Sequence, residues 1–489
     1  MANLKGLVKD TAIYGMSSIV GRFLNYLMVP LYTYTLKKCS DYGIVADLYA
    51  QTALLFAILT FGMETTFFRF INKEEDRLEK MKVYSTSLIM VGGVCLTFVV
   101  LVMLFLQPLA TLEGYPNHKW YVGMMYLVIA QDAFQAIMYA YLRNEHRPVK
   151  FMCLKLAFIF LSITLNMLCF YFLPRWSSEW EVSVKWVFVI NLICTTTISF
   201  CFYKELTGFK WVFDKQKAKS MLVYSWPILV LSIAGILNQV AGQLILPREL
   251  DQETGRHLLG IYEAGVKVAA IMVMITQAFR YAYEPFVFGS AKEKGSKEMY
   301  ATAMKYFIIF TLAAFLCVVG YMDVLKYFVG EKFRIGLAIV PIVMAAEIMM
   351  GITVNLSFWY KLIDKTIYGA WFSLAGCAVL LAINLIFIPQ YGYWACAWAG
   401  FAGYGTSMIL SYVFGQRINP IPYPVKSISI YVLLATLLFA VMILLPKDWP
   451  VWSRMSINTV LILAFIGHIL HYDLPVSSLP VVGKYFRKR

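Results

Sequence analysis

Residues 83–106 read VYSTSLIMVGGVCLTFVVLVMLFL, a run without a single charged side chain. About 20 apolar residues in an α-helix cross the hydrocarbon core of a bilayer, so this run predicts a membrane-spanning helix. Similar runs recur along the 489 residues, of which 60% are hydrophobic and 15% are charged. A soluble domain carries roughly 45–50% apolar and about 25% charged residues. The composition therefore predicts a polytopic membrane protein and excludes a globular enzyme on a membrane anchor.

Hydropathy divides the chain into about 14 predicted spans. Lys and Arg are strongly enriched in the loops on the side of the N-terminus, which predicts that both termini are cytoplasmic. Because the net charge of +15 is spread over short loops, it does not indicate a nucleic-acid-binding face. The predicted spans are 10–35, 42–71, 83–106, 120–143, 151–173, 184–203, 220–246, 259–287, 301–328, 335–360, 367–388, 393–415, 427–445 and 453–472.

The chain also resembles itself at an offset near 216 residues. Gly43-Ile44 matches Gly260-Ile261, and Leu173-Pro174 matches Ile388-Pro389. Six spans per copy is an even number, so both copies enter the membrane from the same side and form a parallel repeat. The predicted fold is all-α, with two six-helix lobes around a central cleft (residues 1–219 and 220–416). Residues 417–489 add two helices and a basic tail.

Several ionisable side chains fall inside the predicted spans, where they cost several kcal/mol unless they face a wet or paired interior. Span 1 contains Arg22 near mid-membrane, and the other positions are Glu64, Arg69, Asp132, Arg280, Glu284 and Glu347. The carboxylates Glu64, Asp132, Glu347 and Glu284 are candidates for a coupling-ion site or for counter-charges to the arginines. Structural salt bridges and hydrogen bonds are the alternative for each. Asn25 and Asn238 are candidates to face the cleft, with bonding between helices as the alternative.

No sequence feature predicts a catalytic or cofactor site. The nine cysteines are scattered and show no paired spacing, and His468 and His471 have no further ligand nearby except Asp473. We therefore expect no metal and no cofactor.

Four short segments carry a resemblance to a known family. They are YGMSSIVGRFLN at 14–25, DYGI at 41–44, FGME at 61–64 and FRF at 68–70. With the span count and the repeat, they resemble bacterial polysaccharide-biosynthesis flippases, the Wzx-type O-antigen and capsule transporters of the multidrug/oligosaccharidyl-lipid/polysaccharide (MOP) superfamily. The resemblance implies a multi-pass protein of the bacterial inner membrane that moves a polyprenyl-pyrophosphate-linked oligosaccharide to the outer leaflet. Its partners would be membrane lipids and other polysaccharide-assembly proteins.

The resemblance also implies a place for the substrate. In related lipid II flippases a cationic cleft holds the pyrophosphate, and the last two helices form a groove for the lipid tail. By position and charge, Arg22, Arg69 and Arg280 are the candidates for the cationic role here. A structural salt bridge is the alternative for Arg22 and Arg280, and snorkelling to the nearby membrane edge is the alternative for Arg69. Tyr26, Tyr281 and Trp359 are candidates for stacking on sugars, with ordinary core or interface packing as the alternative.

Two other functions remain open at this point. A multidrug or cation antiporter of the same superfamily would share the repeat, but arginines in a cleft repel organic cations. A membrane glycosyltransferase or polymerase would need a sizeable external loop, and the segments around 107–119 and 247–258 are short.

Overall fold

A computed structural model describes residues 26–290, 295–446 and 448–473, without the side chains of 281, 282, 284–286 and 288–290. All regular secondary structure in these residues is helical. The α-helices are α1 (Met28–Thr35), α2 (Cys39–Thr60), α3 (Met63–Ile71), α4 (Arg77–Leu104), α5 (Leu106–Leu112), α6 (Lys119–Asn144), α7 (Pro148–Met167), α8 (Leu173–Trp176), α9 (Lys185–Cys201), α10 (Tyr203–Thr207), α11 (Lys215–Glu249), α12 (Gln252–Ser290), α13 (Ser296–Gly320), α14 (Met322–Leu325), α15 (Val340–Leu356), α16 (Phe358–Lys361), α17 (Ile367–Tyr391), α18 (Tyr393–Ile418), α19 (Val425–Leu444) and α20 (Val451–Tyr472).

Eleven helical segments in the described part of the chain are long and apolar enough to cross a membrane. The chain is thus a multi-pass membrane protein, as its composition predicts. The apolar helix α9 is shorter than these eleven, and α18 is long enough but less apolar. Most of predicted span 10–35 lies outside the described residues. The count of 14 spans therefore stays a prediction.

Predicted span 42–71 is broken in two, into α2 and α3. Phe61 and Gly62 connect the two helices, and both have a left-handed backbone, with φ of 36° and 72°. Such a conformation cannot continue a right-handed helix. The side chains of α3 therefore point in directions that an unbroken helix would not give them.

The helices pack in two compact units, one of residues 1–263 with 380–399 and the other of residues 264–379 with 400–489. In the first unit a buried apolar cluster joins α3, α4, α6, α7 and α11. Tyr84 lies at its centre, fully buried and stacked on Tyr141 with 4.1 Å between ring centroids. The predicted lobe boundaries at 219/220 and 416/417 stay a prediction.

In the second unit the last two helices, α19 and α20, pack against α13. At one end, Asp473 accepts hydrogen bonds from Lys305 and from the hydroxyl of Tyr431. At the other end of α20, Arg454 forms an ion pair with Asp323 at 2.8 Å. Polar contacts at both ends thus fix the position of this helix pair in the unit.

Candidate functional site

The structure places part of the predicted site. Arg22 and Asn25 lie outside the described residues, and so does the side chain of Glu284. Glu64 and Arg69 lie on α3, Asp132 on α6 and Asn238 on α11, all in the first unit, whereas Arg280 on α12 and Glu347 on α15 belong to the second. Each unit is described in turn.

Glu64 lies in the first turn of α3 and forms an ion pair with Arg143 from the last turn of α6. The guanidinium of Arg143 also lies over the ring of Phe68, 4.9 Å from its centroid. Both partners are partly exposed, at 34% for the Arg143 side chain and 42% for that of Glu64. Neither side chain is closed off by the protein, so a competing anion can reach Arg143.

Arg69 also belongs to α3 and has an exposed side chain. Its guanidinium lies over the ring of Tyr224 on α11, 4.0 Å from the centroid. Among the described residues, no carboxylate forms an ion pair with Arg69. A guanidinium held flat against an aromatic ring keeps its edge N–H groups available for an anion.

Lys155 adds a third cation, on α7. Its ammonium lies 3.9 Å from the centroid of the Tyr139 ring. The helix α7 packs against α6, which carries Asp132 and Arg143. Lys155 is therefore on a helix next to the one that carries two of the other charged residues.

Hydrogen bonds between α6 and α9 hold the part of α6 around Asp132. The amide of Gln135 donates to the backbone carbonyl of Thr195 at 3.0 Å and to the hydroxyl of Ser199 at 2.8 Å. One turn earlier, the amide oxygen of Gln131 accepts from Thr196 at 3.1 Å and from Ser199 at 3.2 Å. These bonds fix the rotation of α6, which carries both Asp132 and Arg143.

We call Glu64, Arg69, Asp132, Arg143 and Lys155 the charge cluster, a name for the charged residues on α3, α6 and α7, where α6 packs against both α3 and α7. Three cations and two carboxylates leave it with one net positive charge when all are ionised. Arginine binds phosphate oxygens through two parallel N–H bonds, and lysine binds them as a point charge. The arrangement is suited to an anion with several oxygens, such as a phosphate or pyrophosphate group.

In the second unit, Arg280 is exposed on α12. Glu347 is half-buried on α15. Trp359, a candidate for sugar stacking, is only 1% exposed, and its indole donates to the backbone carbonyl of Ser411 at 3.0 Å. Trp359 is thus a core residue in this conformation, because Ser411 and the surrounding apolar side chains cover it.

The sequence reasoning missed two cations of the cluster. Arg143 ends predicted span 120–143, where a basic residue indicates the orientation of the span and no site. Lys155 lies four residues into predicted span 151–173 and is an ionisable side chain inside a span. A charge inside a predicted span is enough to make Lys155 a candidate site residue. The pairing of Arg143 with Glu64 becomes visible only in the fold.

Comparison with known proteins places the chain in a family. The family described as "Polysaccharide biosynthesis protein" matches residues 7–284, which is more than half of the chain. This protein belongs to that family. The match includes every residue of the charge cluster. No curated protein matches the sequence.

Solved structures show which fold the family member has. A lipid II flippase MurJ in an inward closed conformation is similar with a TM-score of 0.75 at 15% identity, over 94% of this chain and 99% of that one. An inward-facing multidrug resistance MATE transporter of the MOP superfamily is similar with a TM-score of 0.60 at 15% identity, over 81% and 93%. A MOP superfamily transporter from Pyrococcus furiosus follows, with a TM-score of 0.56 at 14% identity, over 84% and 95%. The fold is that of the MOP transporters, as the sequence resemblance implies.

Proposed function

We propose that this polysaccharide-biosynthesis protein is a flippase. It would move an oligosaccharide linked by pyrophosphate to a polyprenyl chain from the cytoplasmic to the outer leaflet of the bacterial inner membrane. The product would feed a surface polysaccharide such as O antigen or capsule. The family membership, and the likeness to a protein that is itself a lipid II flippase, support this function over antiport and over glycosyl transfer.

The main observation behind the proposal is that Arg69 stacks on an aromatic ring and forms no ion pair with a described residue. It is a cation in a chain of membrane-spanning helices, stacked on Tyr224 and without an ion-pair partner among the described residues. A purely structural arginine at such a place is normally neutralised by a carboxylate. A positive charge that the fold holds in place without an ion pair to any described carboxylate is suited to an anionic cargo.

The remaining cluster residues extend this role. A pyrophosphate cannot cross hydrocarbon unaided, because it loses its hydration. We propose that Arg69, Arg143 and Lys155 replace that hydration, and that the pyrophosphate displaces Glu64 from Arg143. Arg22 and Arg280 stay candidates for the same cationic role, and Asn25 and Asn238 stay candidates to face the cleft. Rocking of the predicted lobes, residues 1–219 and 220–416, would then expose the cargo outside, with both termini in the cytoplasm.

The membrane potential supports export in this direction. The inside of a bacterial cell is electrically negative, so the membrane potential favours outward movement of anions. Two negative charges that cross outward gain about 4–5 kcal/mol per 100 mV if nothing compensates them. The empty carrier must then return. Asp132, Glu64, Glu347 and Glu284 are the candidates to bind a proton or cation for that step.

The test is transport by purified protein in liposomes, with a lipid-pyrophosphate-linked oligosaccharide labelled on its sugar. We expect Arg69→Ala to reduce flipping at least tenfold and Arg69→Lys to retain part of it, because lysine keeps the charge but loses the two-bond geometry. Arg175→Ala is the matched control. Arg175 is also an arginine stacked on a tyrosine, 3.7 Å from the centroid of Tyr171, but it lies outside the charge cluster. Its removal should leave transport unchanged.

Three results would contradict the proposal. Full activity of Arg69→Ala would remove the role of Arg69. Absence of flipping by the wild-type protein, together with export of organic cations, would favour the antiporter. Transfer of sugar to an acceptor by the purified protein would favour a glycosyltransferase. In cells, deletion of the gene should trap the lipid-linked oligosaccharide in the inner leaflet.

A further inference from the structure

Two glycines bring the backbones of α2 and α12 into contact. A Cβ atom on Gly43 would lie 1.9 Å from the carbonyl oxygen of Arg256, and one on Gly260 would lie 2.0 Å from the carbonyl oxygen of Cys39. Only glycine fits at either position. The contact is reciprocal, because Cys39 and Arg256 are separated by the same number of residues as Gly43 and Gly260. A two-fold axis between related helices produces this kind of pairing.

An ion pair between a buried carboxylate and a partly exposed arginine lies one helical turn from this contact. Asp47 is 1% exposed and accepts hydrogen bonds from the guanidinium of Arg248 at 3.0 Å and from the hydroxyl of Tyr115 at 2.7 Å. The second guanidinium nitrogen of Arg248 donates to Glu113 at 2.5 Å. One arginine from the end of α11 thus binds two carboxylates from separate parts of the first predicted lobe.

A second arginine strengthens the same contact. Arg256 donates to the backbone carbonyl of Gly114 at 2.7 Å and lies over the ring of Tyr115, 4.0 Å from its centroid. Gly114 has a φ of 80°, and a Cβ atom there would lie 3.0 Å from this guanidinium. The segment that joins α5 to α6 is therefore shaped to receive Arg256.

The contacts made by Arg248, Arg256 and Gly260 join residues before 219 to residues after 220, that is, the two predicted lobes. They also lie at the loops predicted to be external, around 107–119 and 247–258. We propose that Asp47, Glu113 and Arg248 form an ionic latch which, with the contact of Gly43 and Gly260, holds the external side closed. The latch must open before cargo leaves to the outer leaflet. This inference rests on the proposed transport function and adds the device that controls its outer exit.

A native cysteine provides the assay. Cys39 is 3% exposed and contacts Gly260 through its backbone, so an open latch would expose it. The other eight cysteines are replaced by alanine, and a membrane-impermeant maleimide is added outside the cell or liposome. We expect Asp47→Asn and Arg248→Gln each to raise the labelling rate of Cys39 about tenfold, because each removes a charged partner from a buried hydrogen bond. Gly43→Ala should raise it as well, because the added methyl group separates the backbones.

The matched control is Asp323→Asn, which breaks the ion pair with Arg454 and leaves the latch intact. Its labelling rate should equal that of the parent protein. The charge exchange Asp47→Arg with Arg248→Asp should return labelling towards the parent rate if Asp47→Asn acts through the ion pair. Because Gly43→Ala changes no charge, it keeps the test valid if an Asp47 variant fails to fold.

The latch and the proposed function fail in different ways. Unchanged labelling in Asp47→Asn, Arg248→Gln and Gly43→Ala would overturn the latch, even if flipping is normal. Raised labelling in these variants of a protein that flips no lipid-linked oligosaccharide would support the latch and overturn the proposed cargo.

Discussion

Replacement of Gly62 by alanine tests whether the helix break controls the charge cluster. Gly62 has a φ of 72°, and a Cβ atom there would lie 2.9 Å from the Cβ of Ile228 and 3.1 Å from the carbonyl oxygen of Ser225. The left-handed conformation costs a residue other than glycine about 1–2 kcal/mol. The Cβ of Ile228 is fixed to its backbone, so α11 must shift by a few tenths of an ångström, which adds about 1 kcal/mol.

We therefore expect Gly62→Ala to destabilise the folded protein by about 2–3 kcal/mol. The measurement is the midpoint of thermal unfolding of purified protein in detergent, together with flipping in liposomes. Transport should fall as well, because Glu64 and Arg69 move when α3 reorients. The matched control is Gly93→Ala in α4, where an added Cβ has no neighbour within 4 Å. Alanine is the better helix former there, so its midpoint should be equal or higher. A midpoint of Gly62→Ala equal to that of Gly93→Ala would refute the reasoning.

Two further predictions concern ion pairs outside the cluster. Glu205 is 1% exposed at its side chain and pairs with Lys150 at 2.6 Å, so Glu205→Gln should cost about 2–3 kcal/mol in unfolding free energy, whereas Glu181→Gln, in a pair exposed to water, should cost almost nothing. Burial tends to raise the pKa of Asp473, but its bonds to Lys305 and neighbouring groups hold the pKa below the ordinary value. The stability from Asp473 is therefore present above pH ~4 and lost as the pH falls through the lowered pKa. Unfolding midpoints of Asp473→Asn should lie below wild type at pH 7 and approach it at pH 3; equal midpoints at pH 7 would contradict this.

Hydropathy and charge were sufficient to predict the fold class, because lipid requires long apolar helices and each predicted span is a strong local signal. The break at Phe61 and Gly62 was not predicted, since hydropathy shows residues 42–71 as one apolar run and the left-handed backbone depends on packing against α11. The ion pair of Glu64 with Arg143 joins residues 79 positions apart. Pairing at such a separation depends on how α3 and α6 pack, and a single sequence does not specify it.

The internal repeat shows a second limit of prediction from sequence. The alignment pairs Gly43 with Gly260 as equivalent positions, but equivalence does not imply contact. The contact also depends on how the two copies are arranged. When the related helices α2 and α12 lie on either side of a two-fold axis, equivalent small residues can meet. Matched glycines in a parallel repeat are therefore worth testing as candidate closure points.

The helix break and the unneutralised arginine are parts of one arrangement. If span 42–71 were a single helix, the rotation of α2 would also fix the directions in which the side chains of Glu64 and Arg69 point. The left-handed turn at Phe61 and Gly62 lets α3 rotate independently, so that Glu64 meets Arg143 while Arg69 stacks on Tyr224. One carboxylate of α3 is then already occupied by a cation from another helix. It cannot neutralise Arg69 at the same time, and the cluster keeps the positive charge that a pyrophosphate would need.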